Sequence, residues 1–256
     1  MYEPEISFTI LATPRPDLLY QTLSSFKENL KDIDISKCNC NIFVDKFINN
    51  IGPKPVECIL VADKFFGSIN SDVNQSNFPS FPKGVKWLFE QKHSKYNFHL
   101  EDDWELLTPV SIKTLVESFD KKSTKETFGI YHKVSQVSLR AWPKKIENEL
   151  FCLSPALHVG TTLNALSTVI KKNDNPEQSI RKHIRENMPN YFNYFPHDEV
   201  ILKDTGREWM KINKYTKSNN KNFVRWSVDY SDLANQVVDQ NVHIPEYLKA
   251  NSRIYK

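Results

Sequence analysis

The sequence predicts an α/β fold, a mostly parallel sheet flanked by helices. Three observations carry that expectation. Apolar runs of strand length alternate with segments of helical periodicity through the first half. Acidic residues stand at the carboxyl ends of those runs, where open α/β sheets bind ligands. Hydrophobic residues at 39% and charged residues at 25% of 256 positions allow the core of one large α/β domain or two small ones. No linker divides the chain, so one domain over residues 1–256 is expected, with a first half to about residue 105 and a second half from about 106 that includes the C-terminal tail.

Ile6-Ser7-Phe8-Thr9-Ile10-Leu11-Ala12 is the first strand. Thr13-Pro14-Arg15-Pro16 breaks it, and residues 17–30 follow as a helix with Leu18, Leu19, Leu23 and Phe26 at helical spacing. Residues 41–44 and 57–62 read as the second and third strands, each followed by an aspartate, Asp45 and Asp63. The polar stretch 67–83, with two prolines, reads as a loop, and 67–82 as a mobile one; residues 84–91 then form a short helix. Tyr96-Asn97-Phe98-His99-Leu100 is a fourth strand running into Glu101-Asp102-Asp103-Trp104-Glu105, with a helix over 111–119. Further on, 128–138 and 149–153 read as strands, and 162–171 and 177–187 as helices.

Composition excludes several function classes. The formal charge of +3, from 34 basic against 31 acidic residues, is too small to mark a nucleic-acid binder. The basic cluster at 181–185 alternates with apolar residues as the solvated face of a helix. No uninterrupted apolar run is long enough to span a membrane. The acidic start Met1-Tyr2-Glu3-Pro4-Glu5 lacks a secretory pattern, so a cytoplasmic location is expected. Cys38, Cys40, Cys58 and Cys152 lack the paired spacing of a zinc site and are expected as free thiols. The composition, rich in lysine and asparagine, fits an A/T-rich bacterial or viral genome; it is silent on oligomeric state.

Consecutive carboxylates at the end of an apolar strand are costly unless something neutralises them. Mg²⁺ or Mn²⁺ does so with one or two carboxylates plus phosphate oxygens and water. Glu101, Asp102 and Asp103 supply that chemistry; the residue types also allow a strand-helix junction in which Asp103 or Glu105 acts as a cap. Arg15 in its proline-flanked turn could equally be a surface residue.

The opening strand, Thr13-x-Arg15-Pro16, the long helix and then His99-Leu100-Glu101-Asp102-Asp103-Trp104-Glu105 together resemble the GT-A glycosyltransferases over roughly residues 6–209. The acidic motif is similar to the E-D-D form found in N-acetylglucosaminyltransferase-like and many bacterial and phage members. The resemblance implies a GT-A-like sheet with an acceptor-side second half, a nucleoside diphosphate sugar donor, UDP-linked, a Mn²⁺ or Mg²⁺ cofactor, and transfer to a hydroxyl on a glycan or other acceptor. It places Thr13, Arg15, Asp45 and Asp63 around the nucleoside, Glu101 near the ribose or sugar, Asp102 beside the donor and metal, and Asp103 on the metal. His158 is a third metal-ligand candidate, although a lone histidine after a strand is commonly structural.

Inverting transfer needs a base on the face opposite the diphosphate. Phe195-Pro196-His197-Asp198-Glu199-Val200 resembles the late acidic motif at a helix start in inverting GT-A enzymes, with Asp198 first and Glu199 second as candidates. Many relatives carry the pair as E-D, which leaves the choice between the neighbours open, and Asp198 could also be a helix N-cap. Downstream, Gly206 suggests a turn with unusual backbone angles, and Arg207 can grip phosphate bidentately. Lys211, Lys214 and Arg225 offer further phosphate contacts; Trp104, Trp142 and Trp209 could stack on an acceptor sugar or belong to the core.

Other activities use similar residues. Nucleotidyltransferases with this sheet open on a glycine-rich loop, which Thr13-Pro14-Arg15-Pro16 and a total of six glycines argue against. A metal-dependent phosphoesterase or nuclease could use Glu101, Asp102, Asp103 and His197, but two-metal chemistry needs more ligands from several strands. A non-catalytic carbohydrate-binding protein of the same fold is the third alternative.

Overall fold

The computed structural model describes residues 5–46, 53–76, 79–122, 126–127, 130–131, 133–140, 151–172, 174–197, 199–213, 215–220 and 223–228. The chain opens β1 (Ile6–Ala12), α1 (Pro16–Asn29), β2 (Leu30–Lys31), a 3-10 turn (Ile35–Lys37), β3 (Asn39–Val44), α2 (Pro55–Asp63), β4 (Ser68–Val73), α3 (Phe81–Glu90), β5 (Tyr96–Glu101) and β6 (Trp104–Leu106). It continues through β7 (Val110–Ser111), α4 (Ile112–Lys122), β8 (Glu126–Thr127), β9 (Ile130–Tyr131), β10 (Lys133–Ser138), β11 (Ala156–Val159), α5 (Gly160–Ser167), α6 (Pro176–Asn187) and β12 (Tyr191–Tyr194). Then come β13 (Leu202–Asp204), α7 (Gly206–Ile212), β14 (Tyr215–Asn220) and β15 (Phe223–Val228).

Seven strands form the central sheet in the order β12-β10-β11-β5-β1-β3-β4. β1 lies parallel to β3 and β5, β3 to β4 and β10 to β12, while β11 runs antiparallel to both β5 and β10. Helices cover both faces. Ile6, Phe8, Ile10 and Ala12 of β1 pack into a cluster with Leu19, Leu23 and Phe26 of α1, Val61 of α2, and Ile112 and Leu115 of α4. On the other face Leu11 and Phe43 pack with Val85, Leu88 and Phe89 of α3, Leu163 and Leu166 of α5, and Ile180 and Ile184 of α6. Gly84 lets α3 lie close on this face, because a β-carbon there would come within 2.6 Å of Leu11 and 2.7 Å of Phe43.

The second face also carries a buried polar row at mid-sheet. Asn41 lies opposite Thr9, Thr9 opposite His99, Asn97 opposite His158, and His158 opposite Gln136. Thr9 Oγ1 donates to Asn97 Oδ1 at 2.8 Å, so at 3.0 Å it accepts from His99 Nδ1 and fixes that tautomer. Gln136 Nε2 lies 3.4 Å from His158 Nε2, leaving the proton of that ring on Nδ1. His99 Nε2 and His158 Nδ1 are buried without a hydrogen-bond partner.

Burial lowers both histidines, His99 to about 3 and His158 well below its ordinary value. Each is therefore neutral in the fold while the unfolded chain binds its proton below about pH 6.5. Above that pH neither contributes; on acidification each increasingly favours the unfolded chain, for His99 down to about pH 3. Urea midpoints are expected to fall between pH 7 and pH 5, and His158→Gln to flatten that fall.

Four sequence expectations are corrected. Residues 57–62 form a helix, α2, because Pro55 starts it and Glu57 accepts from the Lys54 N–H at 3.1 Å; a short apolar run does not distinguish buried helix from strand. The third parallel neighbour is instead β4, within the stretch expected to be a loop; its polar sequence suits an edge strand whose side chains are exposed or half-buried. In the second half, residues 151–155 are not in a strand, and the strand lies at 156–159. After Glu199 the chain enters β13, not a helix.

Candidate functional site

The carboxyl ends of β1, β3 and β5 meet at a small cavity of about 70 Å³ lined by Leu11, Ala12, Thr13, Arg15, Asp45, Pro79, Phe81, Glu101, Asp102 and Asp103. Its centre is an ion pair within the protein. Arg15 precedes α1, where Pro16 begins the helix, and its side chain turns under the tight β5–β6 turn. Nη2 donates to Asp102 Oδ1 at 2.6 Å and to Asp103 Oδ2 at 3.0 Å, and Nε to Asp102 Oδ2 at 2.9 Å. The Thr13 backbone N–H and hydroxyl add donors to Asp102 Oδ2 at 3.1 and 3.0 Å, and the Thr22 hydroxyl donates to the Asp102 carbonyl at 2.9 Å.

Arg15 and Asp102 are 2% and 3% exposed, so both charges are sealed from water. Burial opposes the Arg15 charge, but Asp102 and Asp103 outweigh it and push the guanidinium above its ordinary value. Burial also pushes the Asp102 carboxyl up; Arg15 and the Thr13 N–H oppose that shift, and the neighbouring Asp103 charge adds to it. With both oxygens engaged, Asp102 is an organiser of Arg15. Asp103, 24% exposed in its side chain, is open to solvent where Asp102 is not.

Glu101 lies on the rim, its Oε2 accepting from Trp104 Nε1 at 3.0 Å, and the Arg140 guanidinium stacks 5.4 Å over the Trp104 ring. Across the cavity, Asp45 accepts from Asn74 Nδ2 at 2.6 Å, from the Ser80 N–H at 2.9 Å and from the Lys46 N–H at 2.9 Å. Burial pushes its carboxyl up, and these donors oppose the shift. Asn74 and Ser80 were missed by sequence reasoning; the Ser80-Phe81-Pro82 helix start was the available sign.

Other expected site residues lie elsewhere. Asp63 ends α2 and lines a separate depression with Tyr20, Lys27 and Phe65. His158 is fully buried opposite Asn97, four residues short of Glu101, which at about 3.3 Å per residue leaves it about 13 Å from the strand end. Arg207 is 83% exposed and pairs with Asp204 at 3.4 Å on the outer side of α7. Glu199 is exposed; Asp198, Trp142 and Lys214 fall outside the described residues. His197 is half-buried, and burial lowers it.

Gly206 serves close approach, not unusual backbone angles: its φ is not in the left-handed region, and an added β-carbon would lie 2.3 Å from Asp103 Oδ2. The Thr205 N–H and hydroxyl donate to the Asp103 carbonyl at 2.9 and 3.0 Å. Trp209 lies with its ring 5.4 Å from the Arg15 guanidinium and its Nε1 3.1 Å from Asp17 Oδ2.

Among the described residues no group of three or more His, Cys, Asp or Glu side chains could hold a metal. Asp103 alone still fits a hard cation whose remaining ligands are phosphate oxygens and water. Among the described residues no helix is long and apolar enough to cross a membrane.

No family model and no curated protein matches the chain. Among solved structures it is similar to the mannosyltransferase PcManGT from Pyrobaculum calidifontis in complex with GDP-Man and Mn²⁺, with 12% identity and a TM-score of 0.52, covering 82% of this chain and 60% of that one. It is also similar to S. aureus TarS 1-349, with 9% identity and a TM-score of 0.51, covering 81% and 63%. The chain thus spans less than two thirds of either structure. At these identities the likeness shows the fold, which is the GT-A-like α/β arrangement expected from the sequence.

Proposed function

We propose that the chain is a glycosyltransferase that moves a hexosyl or N-acetylhexosaminyl group from a nucleoside diphosphate sugar, UDP-linked, to a hydroxyl on a glycan or other acceptor, with inversion. The observation that carries this reading is the sealed Arg15–Asp102 pair holding Asp103 at the carboxyl ends of β1 and β5, beside Thr13, Asp45 and Glu101. That is where open α/β sheets bind nucleotides. The fold likeness to a mannosyltransferase in complex with GDP-Man and Mn²⁺ supports it.

Asp103 would hold Mn²⁺ or Mg²⁺ together with the donor diphosphate. The bound cation would supply Lewis-acid stabilisation of the departing phosphate. Thr13, Asp45 and Glu101 would shape the donor pocket, and Arg15 acts through Asp102 and Asp103. Asp198, or Glu199 beside it, would take the proton of the acceptor hydroxyl. The acceptor oxygen then bonds to the anomeric carbon, and the carbon–phosphate-oxygen bond breaks with its electron pair leaving on the nucleoside diphosphate.

The test is a thermal-shift screen of UDP, GDP, CDP and their common sugars, each with Mn²⁺, Mg²⁺ or EDTA. A native-state ligand at a hundredfold excess over its Kd adds about 2.7 kcal/mol, which at this chain length corresponds to a rise of about 5–10 °C. One nucleotide is expected to give a Mn²⁺-dependent rise that EDTA removes. The absence of a rise with every nucleotide overturns the proposal.

A further inference from the structure

The acidic motif and the segment after β13 meet across a sequence separation of about a hundred residues, and contacts from that segment reach Asp103 and Arg15, the guanidinium paired with it. Thr205 holds the Asp103 carbonyl through both its backbone N–H and its hydroxyl. Gly206 stands where any β-carbon would displace the Asp103 carboxylate, with Asp103 Cγ at 2.9 Å and Cβ at 3.0 Å from the added atom, so rotating the carboxylate alone does not relieve the contact. Trp209 covers the Arg15 guanidinium, whose other edge is spent on Asp102 and Asp103, and its indole N–H is tied to Asp17 in the first turn of α1. The short ribbon of β13 on β6, with Asp204 opposite Trp104, brings this segment to the motif.

We infer that Thr205, Gly206 and Trp209 are positioning residues that form a clasp on the cation-binding carboxylate. Gly206 and Thr205 set where the Asp103 carboxylate sits, and Trp209 holds the guanidinium that orients it. This rests on the proposal that Asp103 binds the cation. None of the three need touch cation or donor; they act through Asp103 and Arg15, as outer partners of metal ligands do. A ring over a desolvated guanidinium also contributes cation–π attraction, which phenylalanine retains and leucine does not.

The test measures Mn²⁺ binding to the full chain by electron paramagnetic resonance of the free ion, with UDP or GDP present. Gly206→Ala and Trp209→Leu are expected to weaken binding by about tenfold or more, and Trp209→Phe to recover most of the loss. Thermal unfolding of each variant verifies that it is folded. In metal-free protein, Trp209→Leu is expected to shift the Arg15 Nε–H resonance, because it removes the ring over that group. If wild type binds Mn²⁺ and the folded Gly206→Ala and Trp209→Leu variants bind it equally well, the clasp is wrong and the proposed function stands. If wild type takes up no Mn²⁺ with either nucleotide, the cation-binding role of Asp103 falls, and this inference with it. An unmoved Arg15 resonance overturns the clasp without reference to any metal.

Discussion

Replacing Arg15 by methionine is expected to cost about 3–5 kcal/mol of stability, the range for breaking a buried ion pair by removing one partner. The reason lies in what remains: Asp102 is 3% exposed and would be left with Thr13 as its only side-chain donor among those described. It would then take up a proton or open the β5–β6 turn to water. The double variant Arg15→Met with Asp102→Leu is expected to recover much of the loss, since apolar replacement of a whole buried pair is often neutral or stabilising. Chemical denaturation of the two single variants and the double variant measures the coupling directly. A cost below about 1 kcal/mol for Arg15→Met, the ordinary worth of an exposed pair, would contradict the sealed geometry.

The second large effect separates the two acidic motifs. Asp198→Asn is expected to leave the Mn²⁺-dependent thermal shift of the donor intact and to lower transfer by about 10²–10⁴-fold, the usual contribution of a general base. Asp103→Ala is expected to abolish the Mn²⁺-dependent shift itself. Measuring both variants by donor binding and by turnover distinguishes the roles; equal loss of donor binding in the two would sink the division. If Asp198→Asn retains full turnover and Glu199→Gln does not, the base is the second residue of the pair.

Much of the first half was legible because local signals agreed. β1, α1 and β5 each combine an apolar pattern with a clear break, and Pro16 marks the start of α1. The acidic motif was legible because three carboxylates after an apolar strand demand a neutralising partner, though that Asp102 finds it inside the protein, in Arg15, was not. The residues at 57–62 misled because an apolar run on a covered face looks alike as helix or strand. β4 was hidden because edge strands need no apolar face. His158 lies inside β11 and is fully buried, as the structural reading of a lone histidine has it, whereas the apolar run at 149–153 points to a strand that ends before it. The contacts of Gly206 with Asp103 and of Trp209 with Arg15 leave no local trace, since their meaning depends on a fold that brings distant segments together.

The β6–β13 ribbon bears on how the site comes into being during synthesis. A ribosome that has delivered the first half of the chain has already made Glu101, Asp102 and Asp103, together with Arg15 and the strands that carry them. Thr205, Gly206 and Trp209 are still to be translated, and so is β13, which pairs with β6. The carboxylates are thus made long before residues 205–209, so that a nascent chain halted before residue 205 carries the acidic motif with its Arg15 partner but without Thr205, Gly206 and Trp209.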